Sequence, residues 1–358
     1  MRAAVFTGKE VEIWDNLNVE KLKAGEVLVK VIASGVCHTD VNVIKGRVAV
    51  PMPVILGHEV YGVVEDIGEG VTRVKPGDYV VTSFLYPCGK CRLCVSGLEN
   101  LCENSIKARA NGVMLDGTAR IKKEGKEIYI RNGGWAEYIV APTENCVVPL
   151  PPELRIDEAA ILGCAFFTSY GAVFNTAQVM ATDKVAIFGV GGVGLPAVRF
   201  TRIANAAEII AVDIIDQKLQ KAKAMGATLT INSRNEDPVK TIKEVTNGEG
   251  VDIAIEAIGN TTTIRQAIES VKIGGKVVLI GMGATVEFEV NKVVIPGIKI
   301  FGHYGARPRI DIPKVIELIK RGLISPKDFV THKFKLDDIR QAIHTLETGE
   351  ALRSLVKP

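Results

Sequence analysis

Four of the chain's seven cysteines fall within one short stretch, which restricts the fold more than any other part of the sequence. They follow the spacing C-x2-C-x2-C-x7-C, at Cys88, Cys91, Cys94 and Cys102. Four thiolates that converge from one loop can form the tetrahedral shell that Zn2+ prefers. Disulfides are disfavoured because nothing marks the chain as secreted, and the familiar iron–sulfur run ends in x3-C-P instead of x7-C. We therefore interpret residues 88–102 as a structural zinc loop.

Composition and charge favour an ordinary globular protein with a small-molecule partner. The 358 residues are 47% apolar and 24% charged, and this length is typical of two domains. The net charge of +3 is dispersed, so neither a nucleic-acid surface nor an anionic-membrane surface is predicted. The N-terminus lacks a signal-peptide pattern, and no apolar run reaches the roughly 20 residues of a membrane helix. We expect a cytoplasmic protein without a membrane segment.

Two patterns of secondary structure divide the chain. Residues 1–148 contain short runs rich in valine and isoleucine, separated by glycine and proline, which predicts a barrel-like β domain with little helix. After Pro151 and Pro152, apolar strands alternate with amphipathic helices, which predicts a parallel, doubly wound sheet. The tail contains two helical segments and the strand-like ALRSLVKP, and we expect it to return to the first domain.

A glycine-rich turn in the second domain predicts a dinucleotide site. It follows the apolar strand VAIF and opens a helix, and its residues are Gly189, Gly191, Gly192, Val193 and Gly194. The G-x-G-x-x-G spacing lets a pyrophosphate approach the backbone at a helix N-terminus. Asp213 ends the next strand, where its carboxylate can accept from the adenosine ribose and would repel a 2′-phosphate. NAD is therefore favoured over NADP, and Lys218 is a further candidate contact to the ribose.

A second metal site is suggested by residues that lie far apart in sequence. Cys37 in GVCHTD, His58 in GHE and Cys164 in LGC would supply two thiolates and one imidazole, leaving the fourth position of a tetrahedral zinc open. Each residue alone is more often a packed core residue than a ligand. The residues by themselves leave both interpretations open.

In order and spacing, these motifs resemble those of the zinc-dependent medium-chain alcohol dehydrogenases over essentially the whole chain. The resemblance rests on GVCHTD, GHE, the four-cysteine loop, LGC followed by TSYG, the glycine-rich turn, Asp213 and ALRSLV. It implies a GroES-like β-rich catalytic domain with a Rossmann coenzyme domain, an α/β fold. The implied boundaries are 1–165 and 302–358 for the catalytic domain, which includes the lobe 88–102, and 166–301 for the NAD-binding domain.

The resemblance also implies two zinc ions per chain and NAD as cofactor. Cys37, His58 and Cys164 correspond to the catalytic ligands, with Glu59 as an occasional substitute ligand. Asp40 corresponds to a carboxylate that accepts the free imidazole N–H of the metal-bound histidine. The four-cysteine loop corresponds to the family's structural zinc lobe. Cys146 is then simply a buried apolar thiol.

Several further residues take roles from the same resemblance. Thr39 corresponds to the hydroxyl that receives the alcohol proton, and Asn42 stands where much of the family has the histidine that completes this relay. Asparagine cannot titrate, so we expect the proton to leave through water. His38 and Arg353 correspond to contacts with the pyrophosphate, and Thr168 to a contact with the nicotinamide.

The expected activity is hydride transfer between an alcohol and NAD, interconverting alcohols with aldehydes or ketones. Phe84 corresponds to an apolar wall of the substrate pocket. The segment HYGARPRID also resembles archaeal semialdehyde reductases of the same family, and Arg307 and Arg309 could hold a substrate carboxylate. A remote alternative is a non-catalytic zinc-binding adaptor, which would bind one zinc and no nucleotide. By family analogy we expect a homodimer or homotetramer.

Overall fold

The computed structural model describes residues 1–358 and divides into two compact units. Unit 1 contains Met1–Phe167 and Arg307–Pro358, and unit 2 contains Thr168–Ala306. The domain boundaries predicted from the sequence, after residues 165 and 301, remain predictions.

The elements are numbered along the chain. The strands are β1 Ala3–Phe6, β2 Val11–Trp14, β3 Asn18–Val19, β4 Val27–Val36, β5 Val54–Ile55, β6 Val60–Ile67, β7 Tyr79–Thr82, β8 Ile121–Lys123, β9 Lys126–Ile130, β10 Tyr138–Ala141, β11 Val147–Pro149, β12 Lys184–Phe188, β13 Glu208–Asp213, β14 Leu229–Asn232, β15 Val251–Glu256, β16 Val271–Leu279, β17 Lys299–Gly302, β18 His332–Lys335 and β19 Ser354–Lys357. The helices are α1 His38–Ile44, α2 Arg92–Val95, α3 Glu103–Asn111, α4 Ala165–Tyr170, α5 Gly194–Ile203, α6 Asp216–Met225, α7 Pro238–Val245, α8 Thr261–Ser270, α9 Asn291–Val294, α10 Pro308–Lys320 and α11 Ile339–Glu347. A π-helix covers Gly171–Ala177, and short 3-10 turns cover Glu99–Leu101, Glu144–Cys146, Pro152–Leu154, Asp157–Gly163, Pro326–Asp328 and Leu336–Asp338.

Unit 1 is built on two sheets, as the short β-branched runs of the sequence predict. One sheet has the order β2-β1-β5-β9-β8-β3, and the other has the order β11-β7-β6-β4-β19-β18, with β10 also paired to β4. The central strand β4 pairs antiparallel with β6 and with the C-terminal strand β19. The register sets Ser34 opposite Val60, and Val36 opposite Ser354. The residues that directly follow β4 therefore lie close to those that precede β6 and β19.

Two helices of unit 1 lie where the sequence predicts little helix. Helix α1 begins directly after β4, and the Asp40 carboxylate accepts from the backbone N–H of Cys37 at 3.0 Å, which stabilises the first turn. Helix α3 ends at Gly112, whose φ of +66° suits a left-handed C-terminal cap. Both helices are short and local contacts define them, so hydrophobic periodicity does not reveal them.

Unit 2 is an α/β layer structure. Its six strands lie in the order β14-β13-β12-β15-β16-β17, and every neighbouring pair is parallel. The chain leaves β12 toward β13 on one side and returns to β15 on the other, so the strand order reverses beside the carboxyl end of β12. In open parallel sheets, ligands bind at such a switch point. The predicted α/β fold class is confirmed.

A membrane crossing requires a long and apolar helix. No single helix of the chain meets that requirement, whereas one bent pair, Asp157–Gly163 with Ala165–Ala177, meets it by length and composition alone.

Candidate active site and metal centres

The four-cysteine loop brings its thiols together. The sulfur atoms of Cys88, Cys91, Cys94 and Cys102 all lie within 4.8 Å of one another. Backbone N–H groups also point at sulfur: that of Cys91 donates to the Cys88 Sγ at 3.4 Å, and that of Cys88 donates to the Cys102 Sγ at 3.3 Å. Such bonds stabilise thiolates, the form that binds zinc. The donor set and its closeness fit a four-sulfur zinc site.

Charge around Cys88 agrees with this assignment. Burial opposes its ionisation, but N–H donors, among them the backbone of Lys90 and the side chain of Asn104, lower the pKa of the Cys88 thiol to about 6. The Asn104 amide donates to its sulfur at 3.3 Å. These donors therefore favour the thiolate form of Cys88, the form that binds zinc.

The two arginines considered for substrate binding are engaged by carboxylates of the chain itself. Arg309 donates from Nε and Nη2 to Glu99 Oε2, at 2.8 and 2.6 Å, and Glu99 belongs to the cysteine loop. Arg307 forms a bidentate pair with the buried Asp311, at 3.0 Å for each contact. These contacts fasten the cysteine loop to α10 and stabilise the start of that helix. The binding of a substrate carboxylate by Arg307 and Arg309 stays a prediction.

A second cluster, called here the buried centre, consists of Cys37, His58, Glu59 and Cys164. Its ligand atoms lie within 4.8 Å of one another, and all four residues are buried. Cys37 follows β4 and His58 precedes β6, so the antiparallel pairing of these strands brings them together. Cys164 directly precedes α4. Two thiolates, an imidazole and a carboxylate are ligands that zinc accepts in catalytic sites.

Asp40 organises this centre. One of its carboxylate oxygens accepts from the Gly57 N–H at 3.2 Å and lies 3.1 Å from His58 Nδ1, and the other accepts from the Cys37 N–H. Because a carboxylate can only accept, Nδ1 carries the proton and Nε2 is free to bind a metal. Asp40 therefore positions the ring and the backbone beside two of the ligands.

The electrostatics of the buried centre favour a cation. A hydrogen bond from Cys164 holds the pKa of Cys37 well below its usual range, and Arg353 and His58 act in the same direction. Burial disfavours the imidazolium, yet Asp40 and Cys37 raise the pKa of His58 to about 10. Cys37 thus favours its thiolate form, and the negative groups around His58 favour a positive charge there, which a divalent cation can supply in place of the proton. The residues therefore fit zinc.

Glu59 and Arg353 form a buried ion pair beside this centre. Their closest N···O distance is 3.2 Å. Burial raises the pKa of Glu59 to about 7, against the lowering effect of Arg353. Neither carboxylate oxygen of Glu59 accepts a hydrogen bond, so the group is available as a ligand. The predicted contact of Arg353 with a pyrophosphate remains a prediction.

Phe84 lies beside the buried centre, as expected for a pocket wall. Its ring is 6.0 Å from the His58 ring and 5.4 Å from the Phe167 ring, centroid to centroid. The guanidinium of Arg109, 5% exposed, lies 4.9 Å from the centroid of the Phe84 ring. Phe167 lies three residues after Cys164, so the sequence motif around that cysteine could have identified it. Arg109 carries no pattern that a sequence would reveal.

The remaining residues predicted near the buried centre lie on α1. His38 is exposed and Thr39 is half-buried. The Thr39 hydroxyl lies 3.8 Å from the Cys37 sulfur. Asn42 accepts a 3.3 Å hydrogen bond from Arg47 through its side-chain oxygen. Their roles toward substrate and cofactor stay predictions.

In unit 2, the glycine-rich turn lies between β12 and α5. Gly189 has a φ of +86°, and a Cβ on Gly194 would approach the Gly189 carbonyl oxygen to 1.7 Å, so both positions require glycine. A Cβ on Gly191 would meet nothing within 4 Å. This open cradle at a helix N-terminus fits a pyrophosphate. Gly192 and Val193 continue the turn.

Asp213 lies at the carboxyl end of β13. Its Oδ2 accepts from the Val190 N–H of the glycine-rich turn at 2.9 Å, and its Oδ1 accepts from the N–H groups of Ile214 and Ile215. The carboxylate is therefore fixed beside the turn. Lys218 is half-buried in the first turns of α6.

The two units and their sites define a zinc- and dinucleotide-dependent dehydrogenase. Comparison with protein-family models agrees: residues 23–152 match the alcohol dehydrogenase GroES-like domain, and residues 192–321 match the zinc-binding dehydrogenase domain.

Known relatives cover the chain from end to end. It is 39% identical to the S-(hydroxymethyl)glutathione dehydrogenase of Synechocystis and 38% identical to that of Escherichia coli, with 99% of each chain covered. The crystal structure of benzyl alcohol dehydrogenase from Acinetobacter calcoaceticus superposes with a TM-score of 0.93 at 33% identity, covering 99% of this chain and 98% of that one. Alcohol dehydrogenase TADH from Thermus sp. ATN1 gives a TM-score of 0.87 at 30% identity, covering 100% and 99%.

The chain belongs to the zinc-dependent medium-chain alcohol dehydrogenase family. It is an oxidoreductase that acts on alcohols or aldehydes with a nicotinamide dinucleotide. It has two candidate zinc sites, a structural one in the cysteine loop and a catalytic one in the buried centre.

Proposed function

We propose that the chain oxidises uncharged primary alcohols with an apolar body, or reduces the corresponding aldehydes, by using NAD(H). The observation that carries the proposal is the buried centre, where Asp40 turns His58 Nε2 toward the Cys37 and Cys164 thiols. When bound, zinc supplies a Lewis acid that polarises the substrate oxygen, and NAD carries the hydride.

The chain's own residues orient the substrate and move its proton. The rings of Phe84 and Phe167 offer an apolar surface beside His58, which suits an aliphatic or aromatic alcohol. The Thr39 hydroxyl accepts the proton that the alcohol loses. Asn42 can hydrogen-bond but cannot titrate, so the proton leaves through water. Glu59 serves as an occasional substitute ligand.

The preference for NAD over NADP rests on Asp213. Its carboxylate is fixed by three backbone N–H donors, so it cannot turn away from an incoming 2′-phosphate. Like charges would repel there, whereas a ribose hydroxyl can donate to the carboxylate. Asp213→Ser should lower the ratio of kcat/KM with NAD to that with NADP by at least tenfold, and an unchanged ratio would remove Asp213 from this role.

Metal analysis joined to an NADH absorbance assay tests the proposal. We expect two zinc ions per chain and turnover with benzyl alcohol and short alkanols, at lower KM than with acid semialdehydes. A preference for the semialdehydes would favour the carboxylate alternative. One zinc without NAD binding would instead indicate the adaptor.

Two further proposals concern the oligomeric state of the chain and its location in the cell. Strand β17 lies at the edge of its sheet, and Val290, Val294, Ile295 and Phe301 near it are exposed. An apolar sheet edge of this kind favours pairing with a second copy, so we propose a homodimer or homotetramer. Light scattering after size exclusion measures this. We also propose a cytoplasmic location, because cysteines that cluster as metal ligands are typical of a reducing compartment.

A further inference from the structure

His303 directly follows β17 and joins two parts of the helical segment at the start of unit 2. Its imidazole is 8% exposed. Nε2 lies 2.9 Å from the Thr168 carbonyl oxygen in α4, and Nδ1 lies 2.8 Å from the Thr176 hydroxyl in the π-helix. All three residues belong to unit 2.

The two partners define the tautomer of the ring. A carbonyl oxygen can only accept, so Nε2 carries the hydrogen and donates to Thr168. Nδ1 of the neutral ring is then an acceptor, and the Thr176 hydroxyl donates to it. His303 therefore links α4 to the π-helix by donating to the Thr168 carbonyl oxygen and accepting from the Thr176 hydroxyl.

This link lies where the helix changes from α to π spacing. Gly171 begins the π-helix, and a Cβ there would lie 2.7 Å from the Ala306 Cβ and 3.0 Å from the His303 Cε1. The helix therefore packs closely against the segment that follows β17. Single π turns occur often at functional sites, because they shift the side chains around them.

Thr168 presents a hydroxyl that the protein itself does not use. Thr168 is 5% exposed, and its Oγ1 is buried without a hydrogen-bond partner. A buried hydroxyl without a partner is unfavourable unless a bound group supplies one. The resemblance to the family assigns this residue to the nicotinamide, and a group bound there would supply the missing hydrogen bond.

We propose that His303 is a positioning residue for the nicotinamide end of the cofactor: by holding the Thr168 carbonyl and the π-helix together, it keeps the Thr168 hydroxyl directed at the bound ring. The inference rests on the proposed function, because it takes NAD(H) as the cofactor and Thr168 as the nicotinamide contact that the family resemblance implies. It adds a residue that does not itself touch the cofactor.

The test compares two ligands that differ only at the nicotinamide. Fluorescence titration gives the Kd of NADH, and calorimetry gives the Kd of ADP-ribose, which lacks the nicotinamide. In His303→Phe, which fills the space without hydrogen bonding, NADH should bind about 3- to 10-fold more weakly, while ADP-ribose binds as in the wild type. His303→Gln, which can donate and accept, should restore most of the NADH affinity.

Other outcomes are decisive as well. Equal loss of both ligands in the Phe variant would assign His303 a structural role only, and unchanged NADH affinity would also overturn the proposal. If the Phe variant does not fold, His303→Asn takes its place with the same expected result, because its shorter amide cannot reach both partners. A wild-type chain that binds neither ligand would refute the proposed function instead.

Discussion

Cys164 is the residue whose loss separates the two metal centres. Cys164→Ser removes one thiolate from the buried centre and leaves the cysteine loop intact. We expect zinc to fall from two ions to one per chain and turnover to fall by at least 100-fold, with an unchanged circular dichroism spectrum. Metal analysis and an NADH assay measure these changes.

Cys146→Ser is the matched control for this prediction. Cys146 is a buried thiol that donates to the Thr143 carbonyl at 3.0 Å and belongs to neither metal centre. Its replacement should leave two zinc ions per chain. Full activity in Cys164→Ser would refute the catalytic assignment.

We propose that Arg109 affects substrate binding through its contact with the Phe84 ring. Arg109→Met keeps much of the side-chain volume but removes the cation from the ring face, a contact worth about 1 kcal/mol. We expect KM for benzyl alcohol to rise roughly fivefold. KM for ethanol should stay the same. Arg155→Met, which removes a similar contact on Tyr79, is the control. Equal effects on both alcohols would mean that Phe84 is not held by Arg109.

Position 42 allows a test of the proposed proton path through the pH dependence of turnover. A histidine there would accept a proton only when neutral, above its ordinary pKa of about 6.5. In Asn42→His, alcohol oxidation should therefore rise with pH through this value and level off above it, in addition to the wild-type profile. Asn42→Gln should retain the wild-type profile. If the histidine variant also retains it, position 42 lies outside the proton path.

At the scale of elements, the cysteine loop depends on a helix that lies far from it in sequence. Arg309 at the start of α10 holds Glu99, and Arg309→Met would leave that buried carboxylate without its guanidinium. We expect the free energy of unfolding to fall by about 3 kcal/mol. This is the lower end of the range for breaking a buried ion pair, because Arg309 is partly exposed. We expect a lower unfolding temperature and faster release of one zinc to a chelator.

The same variant tests the carboxylate hypothesis. KM for neutral alcohols should stay the same in Arg309→Met, and KM for acid semialdehydes should stay the same as well. A selective rise in KM for the semialdehydes would instead indicate that Arg309 binds the substrate carboxylate. Arg92→Met, which removes an exposed pair with Glu103 in the same lobe, is the control.

Elements differ in how far the sequence predicts them. The strands and helices of unit 2 follow from buried apolar runs and amphipathic periodicity. Helices α1 and α3 do not follow, because Asp40 and a glycine cap stabilise segments too short to show a period.

At the scale of the whole molecule, the sequence predicts the ligands better than their surroundings. Cysteine spacing and the glycine-rich turn are local patterns, so both can be recognised from the order of residues alone. The contacts of Arg109 with Phe84, Arg309 with Glu99 and His303 with Thr168 join residues that no local pattern connects. Only the folded chain brings these residues together.

The pairing of β19 with β4 has a consequence for biosynthesis. Arg353 precedes β19 and reaches Glu59 only when that strand has joined the sheet. A ribosome adds about 5 to 20 residues per second, so Cys37 and His58 leave it roughly a quarter of a minute to a minute before Arg353. During that time the growing chain gains the remaining residues of the buried centre, Glu59 and Cys164, but lacks the arginine that completes the ion pair. The buried centre can therefore be finished only after residues 1–353 have been translated.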